Sequence, residues 1–166
     1  MSTKSGEVHL KATEDLLTHG YEPVCLINSD SPTLPRATLT AALASLARHG
    51  DRVVLGQSED GGYYLIGLKR AHPALFAGIA WSTADVLAQT IERAGEIKLE
   101  VELLPAWYDV DDEYSLHCLC EELFASSDER TRQNGSGGYK APHTRRYLAQ
   151  LIEEGRERIW PNRKRA

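Results

Sequence analysis

Three acidic turns carry the residues of this chain best suited to chemistry: Asp30, the pair Glu59 and Asp60, and the pair Asp109 and Asp111. Each follows a short apolar run, where an α/β protein holds a metal or a polar ligand at the carboxyl ends of its strands. Mg²⁺ and Mn²⁺ prefer hard carboxylate oxygens and leave positions open for phosphate. The three turns together therefore predict a cation site facing a phosphorylated ligand.

The spacing within each turn sharpens this expectation. Asp109 and Asp111 are two apart, so extended backbone aims both carboxylates to one side, where only a cation or hydrogen-bond donors offset their repulsion. Either makes a second ligand opposite Asp30, while Asp111 or Asp112 can instead cap a helix beginning near Glu113. Asp30 itself is flanked by Ser29 and Ser31, which can donate hydrogen bonds, and by Pro32 and Pro35, which fix the loop's direction. Its alternative is also a cap. In Glu59-Asp60-Gly61-Gly62 the two glycines let a ligand approach the main chain. Asp60 there can bind an acceptor hydroxyl, act as a base or orient the loop, and a plain Asp-Gly turn reads the same. Trp81 with Ser82 and Thr83 is either a core anchor with its helix cap or an acceptor site. Trp107 and Tyr108 either flank a sugar ring or cover the sheet edge. Of the six histidines, His143 alone lies on a segment that can fold back to the cleft.

The elements that position these residues alternate along the chain. Helical apolar spacing runs from His9 to His19, and a second stripe follows Pro35 through Leu39, Ala42, Leu43 and Leu46 to Gly50. Pro23 to Asn28 reads as a strand buried on both faces, Arg52 to Leu55 as a second and Gly62 to Leu68 as a third. A loop with one helical turn spans 71–80. A helix from Ala84 to about Ala94 follows, capped by Ser82 or Thr83. Leu99 to Leu104 alternates glutamates with apolar residues as an edge strand does. Helices near 113–124 and 143–156 flank a glycine-rich connection. The alternation predicts a three-layer α/β/α fold with a mostly parallel sheet.

At 166 residues the chain suffices for one domain of ordinary size, and its net charge of -5 argues against nucleic acid as a partner. Three cysteines without C-x-x-C spacing indicate neither a disulfide framework nor zinc. No run is long enough for an integral membrane segment, so a reducing, cytoplasmic setting is expected.

Four motifs in order, Ser29-Asp30-Ser31-Pro32 with Leu34-Pro35, Gly56 to Gly67, Trp81-Ser82-Thr83, and Leu104-Pro105 with Tyr108-Asp109-Val110-Asp111, resemble the DUF2064 family. These are glycosyltransferase-like proteins of GT-A fold, related to guanylyltransferases of cofactor F420 synthesis and to molybdenum-cofactor nucleotidyltransferases. The resemblance implies a nucleotide-diphospho-sugar transferase-like core over 1–125, a polar linker over 126–140, and a C-terminal helix with a basic tail over 141–166. It also implies an N-terminal strand and phosphate loop, so the chain reads as N-terminally truncated. By the same resemblance Asp30, with Asp111 and Asp109, holds Mg²⁺ or Mn²⁺ on a nucleotide diphosphate. Ser29, Asp30, Ser31, Gly61 and Gly62 then line the nucleotide, and Asp60 and Glu59 are the catalytic candidates. The expected activity is metal-dependent glycosyl transfer from a nucleotide-sugar to a small-molecule acceptor. The alternatives are nucleotidyl transfer from a nucleoside triphosphate to a phosphorylated small molecule, and a noncatalytic remnant that forms a homodimer through its exposed sheet edge.

Overall fold

A connection of four residues cannot return a chain to the start of a strand, so the strands joined by Glu59–Gly62 must run antiparallel. The computed structural model, which describes residues 4–124 and 138–159, has that hairpin at the centre of its sheet. Strands β1 (Val24–Ile27), β2 (Arg52–Ser58), β3 (Tyr63–Leu68) and β4 (Glu100–Trp107) lie in the order β1-β3-β2-β4. The helices are α1 (Lys4–Thr18), α2 (Arg36–Ala47), α3 (Val86–Glu96), α4 (Glu113–Phe124) and α5 (Pro142–Ile159), with a 3₁₀ turn over Pro73–Phe76.

The chain divides into two compact units. The first is the segment up to Ser29 with Ala37–Tyr108; the second is Asp30–Arg36 with the residues from Asp109 onward. In the first unit Val53 and Leu55 of β2 and Ile66 and Leu68 of β3 turn to one face. They pack with Leu75, Phe76, Ala94 and Leu99, and Leu10 of α1 and Ile91 of α3 close over them. Burying a side chain as completely as Leu55 is worth about 2 kcal/mol. On the other face Gly67 makes room for α2, because a Cβ there would stand 2.9 Å from Leu46 Cδ1. Helices thus cover both faces of the sheet, as the three-layer expectation requires.

Tyr64 stitches the sheet across its width. The register of β2 against β3 shifts between Gly56 and Gln57. The Tyr64 ring fills the space above Gly56, where a Cβ would lie 2.2 Å from Cε2. Its hydroxyl donates to the Pro105 carbonyl at 2.8 Å, and burial pushes its pKa up to about 12. The β4 edge is guarded by charge: Glu100 accepts from Arg52 at 3.1 Å and Glu102 from Arg48 at 3.0 Å.

In the second unit α4 buries Leu119, Cys120 and Leu123, and α5 buries Leu148. Arg145 Nε donates to the Leu123 carbonyl at 3.1 Å, joining α5 to the last turn of α4.

Several expectations need correction. Of the three strand pairings only β2 with β4 is parallel, so the sheet is mixed rather than mostly parallel, although β1, β2 and β4 share one direction. The hairpin inserts β3 between two strands that a crossover pattern would have paired. Strand β1 is not buried on both faces, since Ile27 is 50% exposed, and among the described residues it is an edge strand paired with β3. Helix α3 starts at Val86 rather than Ala84, and its N-cap is Asp85, which makes no side-chain cap bond, rather than Ser82 or Thr83. One break between the two units falls between Tyr108 and Asp109. Most of the expected linker, and the basic tail from Pro161 on, lie outside the described residues. No helix among the described residues is long and apolar enough to cross a membrane.

Candidate metal and ligand site

The turn that carries Glu59 and Asp60 is shaped by its own side chain. Gly62 N–H donates to Asp60 Oδ1 at 2.8 Å, and Ser58 N–H donates to the Gly62 carbonyl at 3.0 Å. Gly61 has φ +91°, and a Cβ there would stand 2.2 Å from the Ala84 carbonyl oxygen. The Gly61 carbonyl in turn accepts from Leu87 N–H at 3.0 Å, which seats the turn on the start of α3. The need for glycine at 61 is therefore met by packing within the first unit. Glu59 N–H donates to the Trp107 carbonyl at 3.3 Å, carrying the β2/β4 ladder one step past its last pair. Glu59 and Asp60 are exposed. At the same end of β4, Trp107 and Tyr108 stack with centroids 5.9 Å apart and an interplanar angle of 26°.

The second unit begins at the next residue, and there the acids divide their duties. Ser115 N–H donates to Asp112 Oδ1 at 2.7 Å, while Asp112 N–H donates back to Ser115 Oγ at 3.1 Å. This reciprocal pair is a capping box, and it assigns the helix cap to Asp112. The Ser115 backbone N–H, and then its hydroxyl, hold the Asp112 carboxyl below the usual carboxylate range. Asp109 and Asp111 are not part of that box as side chains. A carboxylate oxygen of one lies within 4.8 Å of a carboxylate oxygen of the other, as the two-residue spacing predicted.

Asp30 enters this arrangement through its backbone. Its carbonyl accepts from Val110 N–H at 2.9 Å, placing the loop 30–36 beside the residue between the two aspartates. Its carboxylate does not join Asp109 and Asp111 in a group with all oxygens within 4.8 Å, so the structure does not bring the expected three ligands together. Asp30 Oδ1 and Ser31 Oγ are both buried and lack a hydrogen-bond partner among the described residues. Ser29 is exposed.

Trp81 takes the core role of its two readings: it packs 5.2 Å from the His9 ring and 6.4 Å from Tyr63. Thr83 Oγ1 accepts from Asp85 N–H at 3.3 Å, so the turn before α3 uses the hydroxyl that the sequence offered. His143 is exposed in the first turn of α5.

One contact had no signal in the sequence. Gly138–Ala141 lies against the loop 30–36: Tyr139 N–H donates to the Thr33 carbonyl at 2.7 Å, and Arg36 sits 5.0 Å over the Tyr139 ring. No local pattern announces a meeting of residues a hundred positions apart. The capping box at Asp112 and Ser115, by contrast, is legible once the helix start is fixed.

Residues 4–83, which hold the loop at Asp30 and the turn at Asp60, match the family model described as "Uncharacterized protein conserved in bacteria (DUF2064)". Over that stretch the chain is similar to the DUF2064 family. Its fold is GT-A-like: it superposes with TM-score 0.69 and 33% identity on a crystal structure from Desulfovibrio desulfuricans G20, a protein provisionally assigned as a nucleotide-diphospho-sugar transferase. The alignment covers 90% of the DUF2064-like chain and 61% of that structure, so this chain spans under two thirds of its relative. No curated protein matches.

Proposed function

We propose that this DUF2064-like chain carries the metal-holding half of a transferase site, one that moves a glycosyl group from a nucleotide-sugar to a small-molecule acceptor. The observation that carries the reading is the Asp109–Asp111 pair: two carboxylates held close while Asp112 takes the cap. Repulsion between such neighbours is offset when a divalent cation sits between them.

Mg²⁺ or Mn²⁺ bound there would neutralise the departing nucleoside diphosphate. Asp109 and Asp111 would hold the ion. The unpartnered Asp30 and Ser31 oxygens suit a polar ligand nearby. Glu59, exposed beside Asp60, accepts the proton that the acceptor hydroxyl loses as its oxygen bonds to the anomeric carbon. The GT-A-like relative supports the transferase class, and the sugar and acceptor stay open.

Calorimetric titration of the chain with Mn²⁺ tests the proposal. Binding is expected in the wild type, with affinity reduced more than tenfold in Asp111→Asn. Absence of heat up to about 1 mM Mn²⁺, the weak end of protein sites for divalent cations, would sink it. So would an Asp111→Asn variant that binds as tightly as the wild type.

A further inference from the structure

The carboxylate pair is built on a loop whose other end is fastened by a distant segment. Val110, between Asp109 and Asp111, is held by the Asp30 carbonyl. From Asp30 the chain turns at once, with Leu34 N–H donating to the Ser31 carbonyl at 3.1 Å, and reaches Thr33, which is fully buried. There Gly138–Ala141 is laid across it. The Tyr139 backbone N–H bonds the Thr33 carbonyl at 2.7 Å, and the Tyr139 ring lies 5.0 Å beneath the Arg36 guanidinium. Ala141, just beyond, is buried at φ 36°, a backbone position unfavourable for a non-glycine residue. All of these residues belong to the second unit.

We infer that Gly138–Ala141 is a strap that positions the metal-binding pair, with Tyr139 as its positioning residue, acting through Thr33 and Asp30 on Val110. A loop fastened only at Asp30 would let Val110 sample other orientations. A carboxylate pair flanking one residue keeps its geometry only while the backbone of that residue holds its conformation. The Arg36–Tyr139 stacking supplies the second fastening. The inference rests on the proposed metal role of Asp109 and Asp111, but one readout of it does not.

That readout is the exchange rate of the Val110 amide hydrogen, measured by NMR without metal. In Tyr139→Ala, Val110 exchange is expected to speed up, and Mn²⁺ binding to weaken roughly two- to fivefold, the scale of one cation–π contact. Tyr139→Phe, which keeps the ring, is expected to restore both. A merely structural tyrosine would lower the thermal midpoint without selecting Val110 or the metal. Should Tyr139→Ala fail to fold, Arg36→Ala removes the same contact from its other side and carries the same expectations. Unchanged Val110 exchange and unchanged Mn²⁺ affinity in these variants would overturn the strap. Faster Val110 exchange in a protein whose wild type binds no Mn²⁺ would uphold the strap and remove the metal reading alone.

Discussion

Asp109, Asp111 and Asp112 show how neighbouring acids of one chemistry come to different work. The separation depends on Ser115, whose N–H and hydroxyl engage Asp112 alone as a side chain. Asp112→Ala should therefore lower the thermal midpoint at neutral pH by about 2–4 °C, the size expected for one lost N-cap in a chain of this length, and leave Mn²⁺ affinity unchanged. The pH dependence has a definite sign. The folded carboxyl titrates below its unfolded value, so its contribution is complete above the unfolded pKa of about 3.9 and is lost as pH falls through the lower folded value. The difference between wild type and Asp112→Ala should therefore shrink in thermal melts taken from pH 5 towards pH 3. A difference that grows in acid would contradict the cap. The division was half legible beforehand: spacing paired Asp109 with Asp111, but left both Asp111 and Asp112 open as the cap.

At the scale of elements, the β2–β3 hairpin matters most, because its turn seats Asp60 and its first residue bonds β4. Gly61 is the sensitive point. Alanine there would combine a positive φ with a Cβ 2.2 Å from the Ala84 oxygen, a backbone atom that cannot swing aside. Gly61→Ala should cost about 3 kcal/mol in denaturant unfolding, from backbone strain together with overpacking. A loss under about 1 kcal/mol would mean that the turn is not pressed on α3. The element order was readable because apolar periodicity and breakers such as Gly20 and Gly50 are local signals. The strand pairing was readable too, in the four-residue connection itself, but the rhythm of alternating helices pointed to parallel crossovers instead. The exposure of β1 was not readable. Val24-Cys25-Leu26-Ile27 looks like any buried strand, and whether a neighbour lies on its far side is a property of the whole sheet. The hydrogen bond from Val110 N–H to the Asp30 carbonyl likewise rests on tertiary placement, which residue types at these spacings leave open.

For the molecule as a whole, charge constrains what a phosphorylated ligand can do. The chain carries a net charge of -5, and its candidate site is itself acidic. A nucleoside diphosphate brought to bare carboxylates meets repulsion; the same ligand brought to a cation-loaded site meets attraction. Metal and nucleotide should therefore bind with positive coupling, each raising the affinity of the other by one shared factor. Titrations of a nucleoside diphosphate panel should show little heat in EDTA and clear binding with Mn²⁺, and Asp111→Asn should lose the dependence along with the binding. The family match ends at residue 83, before Asp109, and the GT-A-like relative extends well beyond this chain. Coupling is thus a sharper test than affinity alone, because a weak nucleotide pocket can still reveal its cation through a ratio. Nucleotide binding of equal strength in EDTA and in Mn²⁺ would mean that the acidic cluster does not face the diphosphate, whatever else it binds.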